Sequence, residues 1–279
     1  MDHPSPLRYP GGKASVAPFL ARTIEANGLV GATYIEPFAG GAGAALRLLF
    51  AESVATIYLN DKDSFVFNFW KSILDDTQEF IRLVESCRVN VKTWRAQREI
   101  LRSPTRYSKL EVGFAAFFLN RCNHSGVLNG GPIGGLSQTG SYKIGVRFNK
   151  TELIRRIERI HLFRDRIHIS KSDALVFMKR LVASKRADLR DALVYFDPPY
   201  LEKARRLYPM YFKLRDHVRL AEYLSRRKEF RWIVSYDDVT PIRKLYSDPK
   251  RSVKKAYSLH SAKVGRELLI FGPTCIAPR

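Results

Sequence analysis

Apolar residues fall along this chain in two rhythms, one short and unbroken, the other spaced every three or four positions. The clearest short run is ALVYF at 192–196. With nothing polar on either face, it predicts a strand in the middle of a buried parallel sheet. Further strands are predicted at 34–35, ending in Glu36, and at 56–59, 166–170, 232–234 and 267–271. Helical spacing predicts amphipathic helices over 16–24, 44–50 and 151–163, and a later one with Leu214, Val218, Ala221 and Leu224 on one face. EVGFAAFFLN at 111–120 predicts a buried helix. Strand and helix alternate, as in an α/β fold with a mostly parallel sheet.

The alternation is broken once. Between 75 and 163, helical stretches carry Arg82, Arg88, Lys92, Arg95, Arg98, Arg102 and Arg106, with Trp94 and Tyr107 among them. A tract rich in Gly, Asn and Ser then runs from Arg121 to Lys150, which predicts a long loop or set of hairpins. The chain therefore reads as a sheet domain built from 1–74 and 164–279, with an inserted, largely helical plus loop region at 75–163. Within the loop, Arg121, Asn123, His124, Ser125, Asn129, Gln138, Lys143 and Arg147 offer groups of the kinds that contact phosphates and base edges of duplex DNA. A polar surface loop without a partner is the plainer alternative.

Charge favours the first reading. Among 279 residues, Lys and Arg number 48 and Asp and Glu 27, a formal net charge of +21. That is far more than solubility requires and fits a polyanionic partner, nucleic acid first. No window is apolar enough to span a bilayer and the start lacks the order of a signal peptide, so no membrane partner is expected and the cytoplasm is the expected compartment. Cys87, Cys122 and Cys275 are far apart and in no CxxC pair, which predicts reduced thiols and neither a disulfide framework nor a zinc site.

The candidate chemistry gathers where strands are predicted to end. Asp197, Pro198, Pro199 and Tyr200 follow directly on the ALVYF strand. Consecutive prolines cannot extend a sheet ladder, so the backbone leaves stiffly and presents one carboxylate and one aromatic face at the carboxyl edge of the sheet, where α/β folds bind ligands. Glu36, Pro37, Phe38 and Gly40 open a Gly-rich turn between a strand and a helix, EPFAGGAG. Backbone amides there suit a nucleotide-like ligand, but the acidic strand end would repel a pyrophosphate and suits an ammonium or other cation. Asp61 ends the next strand, placed to accept from both hydroxyls of a ribose, and Asp173 follows the third. Near the start, Gly11 and Gly12 free the backbone for a close approach beside Lys13. Each acidic strand end, taken singly, is also a good turn former or helix cap.

Taken in order, RYPGGK, EPFAGGAG, Asn60 with Asp61, the LNR segment at 119–121, DPPY, FKLRDHVRL and SYDD closely resemble the Dam-type, or D12-class, DNA adenine methyltransferases. The resemblance spans roughly residues 7 to 271. It implies a Rossmann-like sheet that binds S-adenosylmethionine, with the DNA target-recognition region inserted between Asp61 and Asp173. By position it assigns Tyr9, Pro10, Gly11, Gly12 and Lys13 to the N-terminal cofactor-binding segment, though the family often has Trp where Tyr9 stands. It assigns Glu36, Pro37, Phe38 and Gly40 to the cofactor loop, Asp61 to the ribose, Asp173 to the cofactor adenine, and Arg121 and Asn123 to the neighbourhood of DNA. The loop from Cys122 to Gly140 departs from the best-known members, so no recognition sequence carries over.

The chemistry this implies is methyl transfer to the exocyclic amine of adenine, a poor nucleophile because its lone pair is delocalised into the ring. Hydrogen bonds from that amine to the Asp197 carboxylate and the Pro198 carbonyl would favour a pyramidal nitrogen, with Tyr200 stacked on the base after it leaves the helix. Double-stranded DNA is the expected partner. RNA adenine or DNA cytosine-N4 methylation, and a catalytically idle DNA-binding module of the same fold, remain alternatives at this point. A cognate restriction nuclease, and whether the protein is a monomer or weak dimer, are likewise open.

Overall fold

The structure is a computed structural model that describes residues 3–8, 13–184, 188–201, 212–246, 250–259 and 261–278. Seven strands form one sheet: β1 (Thr33–Glu36), β2 (Thr56–Asn60), β3 (Ile167–Ser170), β4 (Ala192–Phe196), β5 (Arg231–Asp237), β6 (Lys250–Leu259) and β7 (Ser261–Phe271). Their order across the sheet is β3-β2-β1-β4-β5-β7-β6. From β3 to β5 every pairing is parallel, whereas β7 runs antiparallel to β5 and to β6. The order reverses between β1 and β4, whose residues Ile35 and Val194 lie opposite each other. A reversal of this kind leaves a crevice beyond the carboxyl ends of the two strands.

The unbroken apolar run of β4 is explained by helices on both faces. Leu193 and Tyr195 join a core with Tyr34, Ile57 and Leu59. Val194 and Phe196 point the other way, into a second core with Ile35, Trp232 and Val234. The first face is covered by α1 (Ala17–Ala26), α2 (Gly43–Phe50) and α3 (Ser64–Asp75), the second by α8 (Ala174–Ser184), α9 (Leu214–Ser225) and α10 (Thr240–Leu245). All five residues of β4 are buried, as strand alternation between two covered faces requires.

Four helices lie between β2 and β3 beyond α3: α4 (Thr77–Ser86), α5 (Val91–Arg102), α6 (Lys109–Cys122) and α7 (Lys150–Leu162). Their apolar centre is continuous with the core under the sheet. Phe69 of α3 stacks on Phe117 of α6 with ring centroids 5.8 Å apart, and Phe80 and Phe148 close on the same ring at 5.4 and 5.5 Å. Gly113 makes this approach possible. A Cβ there would sit 2.6 Å from the Asn68 carbonyl oxygen, so α6 could not lie so close to α3 with any other residue. Ser108 and Glu111 start α6 with a reciprocal capping box.

Three differences from the expected fold appear. The SYDD segment is not the end of a short strand, because β5 continues through Ser235, Tyr236 and Asp237, which pair with Leu269, Leu268 and Glu267 of β7. The sheet also gains β6, whose mixed polar and basic sequence, KRSVKKAYSL, lacks the apolar run that marks the other strands. The 121–150 tract carries short 3-10 turns and one isolated bridge, Asn123 to Pro132, instead of a set of hairpins.

Candidate active site at the strand ends

Three strand-end loops are drawn together by one side chain. The Asn60 amide at the end of β2 donates to the carbonyls of Pro37 and Ser172, both at 3.0 Å, and so ties the turns after β1 and β3 to its own. The turn after β1 is fixed again by Trp70, whose indole N–H donates to the Gly40 carbonyl at 2.9 Å. Gly40 adopts φ +48°, a conformation that glycine reaches at least cost. Its N–H donates at 2.8 Å to Asp61 Oδ2, and Asp61 Oδ1 accepts from the Asp63 N–H at 2.9 Å. Asp61 is thus a brace for the Gly-rich turn, and burial, only partly offset by these hydrogen bonds, pushes its carboxyl up to about 6.

Glu36 stands at the tip of β1, only 5% exposed. It accepts from the Tyr34 hydroxyl at 2.9 Å, and burial, with the nearby Asp197 charge, pushes it up to about 8. Such a carboxyl is poised to ionise when a cation arrives. Phe38 is half-buried beside the second core, its ring 5.4 Å from that of Phe212. Asp173 uses Oδ1 to cap the start of α8, accepting from the Leu175 and Val176 N–H groups at 3.1 and 3.4 Å.

Across the crevice, DPPY leaves β4 without regular structure. Asp197 Oδ1 accepts from Ser235 Oγ at 2.7 Å and pairs with Lys13 Nζ at 3.1 Å. Ser235 in turn accepts from the Tyr195 hydroxyl at 2.9 Å. Lys13 Nζ also reaches Glu267 Oε1 of β7 at 2.6 Å, and the Tyr200 hydroxyl donates to the same oxygen at 2.7 Å. Lys13 contacts the Tyr200 hydroxyl as well, its nitrogen 4.7 Å from the ring centroid. Burial alone would lower the Lys13 pKa, yet Asp197 and Glu267 outweigh it and hold it above its ordinary value. Burial and the same two carboxylates hold the Tyr200 phenol well above its usual range, so it stays neutral. Lys13 and Glu267 are nearly sealed, at 8% and 3% exposure, whereas Asp197 keeps 24%. Asp197 is the member of the cluster that can meet a ligand.

The sequence-predicted site residues therefore divide. Lys13, Glu36, Pro37, Phe38, Gly40, Asp61, Asp173, Asp197, Pro198, Pro199 and Tyr200 gather at the carboxyl edge of the sheet. Tyr9, Pro10, Gly11 and Gly12 lie outside the described residues, as does the basic segment from Lys203 to Arg206. The segment leading to them is anchored on α6, since Asn120 accepts from the Arg8 N–H and donates to the Arg8 carbonyl, both at 2.7 Å.

In the inserted region the expected DNA contacts need correction. Asn123 is fully buried: its amide donates to the carbonyls of Val127 and Leu128, and its oxygen accepts from Trp94 Nε1 at 2.6 Å. Arg121 points inward and donates to the Arg147 and Pro6 carbonyls. Gln138 donates to Ile133 and Gly135 and accepts from the Ile144 N–H. These three side chains close the loop on itself instead of facing outward, because a chain segment without ladder partners must satisfy its own carbonyls. Ser125 is half-buried with φ +55°. His124, Asn129, Lys143 and Arg147 are exposed, although Lys143 Nζ also donates to the Gln138 carbonyl.

Glu267 is the part of the site that lay in no motif, whereas Asn60 and Ser235 stood in motifs that gave them no role. A signal for Glu267 was present, since one acid stands at the head of the apolar LLIF run just as Glu36 ends TYI. Among the described residues, no helix is long and apolar enough to cross a membrane.

Comparison with known proteins gives the site a family. Two solved structures of the rRNA methyltransferase aviRa from Streptomyces viridochromogenes are similar to this chain at 14% identity and a TM-score of 0.43. The alignments cover 97% and 96% of this chain and 89% and 88% of those. No curated protein matches its sequence. The family model of the D12 class N6 adenine-specific DNA methyltransferases matches residues 9–263, which takes in the N-terminal segment, the Gly-rich turn, the insertion and DPPY. The chain therefore belongs to the D12 class of N6 adenine-specific DNA methyltransferases.

Proposed function

We propose that this protein uses S-adenosylmethionine to methylate N6 of an adenine turned out of a specific site in duplex DNA. The observation that carries the reading is the charge balance of the crevice. Glu36, Asp61, Asp197 and Glu267 gather at the strand ends, and among the described residues Lys13 pairs with Asp197 and Glu267. Burial pushes the Glu36 carboxyl up to about 8, so ionising it is costly unless a cation completes the site. S-adenosylmethionine carries a sulfonium and an ammonium, so the donor set fits it, and when bound it supplies an activated methyl group.

Glu36 is suited to the ammonium and Asp61 to the ribose hydroxyls. Phe38 and Asp173 would flank the adenine moiety. On the other side of the crevice, Asp197 keeps Oδ2 for a hydrogen of the target amine, since Oδ1 is held by Ser235 and Lys13. The Pro198 carbonyl would take the second hydrogen. Two acceptors placed this way favour a pyramidal nitrogen whose lone pair leaves the ring plane, which raises its nucleophilicity without covalent catalysis. Tyr200 offers a neutral face for the extruded base, whose unstacking costs a few kcal/mol.

The recognition loop supplies the DNA side through His124, Asn129, Lys143 and Arg147. Arg121, Asn123, Ser125 and Gln138 act on DNA indirectly, by holding that loop in shape. The test is methyl-labelled cofactor offered to duplex DNA, RNA and protein, with the product digested to nucleosides. Label in N6-methyldeoxyadenosine is the expected result; label confined to RNA or to N4-methyldeoxycytidine would overturn it.

A further inference from the structure

We infer that Glu267 is a positioning residue for methyl transfer, acting on Asp197 through Lys13 and on the target base through the Tyr200 hydroxyl. The inference rests on the methyltransferase reading above. It comes from the sharing of one ammonium. Lys13 Nζ has three hydrogens and meets three oxygens, those of Asp197 at 3.1 Å, Glu267 at 2.6 Å and Tyr200. Of the two carboxylates Glu267 is the nearer, so the cation's charge is matched mainly by the more deeply buried one, at 3% exposure.

Two consequences follow for the chemistry. Asp197 is steered by Lys13 but shares that cation with Glu267, which leaves it a stronger acceptor for the amine hydrogen than a one-to-one pair would. If Glu267 were uncharged, Lys13 and Asp197 would form a one-to-one pair, and Asp197 would accept more weakly. The second consequence concerns Tyr200. Its hydroxyl donates to Glu267 at 2.7 Å, which fixes the plane of the ring before a base arrives. Glu267 thereby sets both the acceptor and the stacking surface, while contacting neither the base nor the methyl donor.

The test is a double-mutant cycle on the full chain with duplex DNA and methyl-labelled cofactor. Glu267→Gln keeps an oxygen for Tyr200 and removes the charge, and is expected to lower kcat by about thirtyfold while the Kd for S-adenosylmethionine, read by calorimetry, changes by less than about threefold. Lys13→Met is expected to lose at least as much. In the double variant the two losses should not multiply, because each breaks the same unit. Losses that multiply, or a Glu267→Gln protein with the parent kcat, would overturn the inference.

Should Glu267→Gln fail to fold, Tyr200→Phe breaks the other end of the bond and keeps the ring. It is expected to lower kcat about tenfold with DNA affinity retained, and an unchanged kcat would overturn the Tyr200 arm. An inactive parent protein would overturn the methyltransferase reading itself, whereas an active parent with unaffected variants overturns the Glu267 inference alone.

Discussion

The crevice at the strand ends and the loop at 121–150 are both crowded with polar side chains, and they use them in opposite ways. In the crevice, buried carboxyls are unevenly matched: among the described residues Asp197 and Glu267 share Lys13, while Glu36 has no ion pair and burial pushes it up to about 8. In the loop, the buried polar groups are amides and one guanidinium whose donors go to nearby backbone carbonyls. A balanced network is what a loop needs to hold its shape. An unbalanced one stores electrostatic free energy that a ligand can release. The difference separates residues that bind from residues that build.

The largest effect that would break this comparison lies in the crevice. Asp197→Ala should cut kcat by a factor of about a thousand or more, with the fold and most DNA binding retained; near-normal turnover would remove Asp197 from the chemistry. In the loop the corresponding change is Asn123→Ala. It leaves the Leu128 carbonyl and the Trp94 N–H without partners, the Val127 carbonyl keeping the Gly130 N–H, and should cost about 2–4 kcal/mol of stability. Thermal unfolding would show this, together with weakened DNA binding although Asn123 touches no solvent. If Asn123→Ala instead left Tm unchanged and only relaxed sequence preference, a direct contact with DNA would replace the bracing role.

Gly113→Ala tests the seam between the two regions, since a methyl group there must push α6 off α3. A loss of about 1–3 kcal/mol is expected.

Titration sharpens the contrast further. The Glu36 carboxyl is raised from 4.5 to about 8 in the folded chain, so between those values the folded state holds a proton that the unfolded state has lost. Stability of the ligand-free protein on this account is greatest below 4.5 and falls as pH rises through 8. Cofactor binding should run the other way, tightening as pH rises toward 8 and releasing protons near neutrality. Calorimetry in buffers of different ionisation enthalpy would register the release, and Glu36→Gln should abolish it.

The smallest effect belongs to the exposed end of the loop. Arg147→Ala should weaken duplex binding by a few-fold and lower the salt slope by about one. A slope that did not move would take Arg147 off the phosphate backbone.

Much of the sheet was legible because burial leaves a mark on composition. ALVYF could only be a strand covered twice, and the acids at Glu36, Asp61 and Asp173 each followed a recognisable strand. Strand β6 was not legible, since KRSVKKAYSL has no apolar run to mark it. The far end of β5 was missed because SYDD looks like a turn in isolation and becomes strand only through its pairing with β7. Residue type also could not say which way Asn123 and Gln138 face. An amide that braces a loop and one that reads a base have the same chemistry, and only the neighbouring carbonyls decide between them.

The hairpin formed by β6 and β7 delivers Glu267 from far along the chain to a lysine close to its start. During synthesis the parts therefore mature unequally: the Gly-rich turn and helices α4 to α7 can form while the sheet is still open beyond β4, before β5 and β7 are added. A nascent chain without this hairpin would present Asp197 to an ammonium that Glu267 does not yet share.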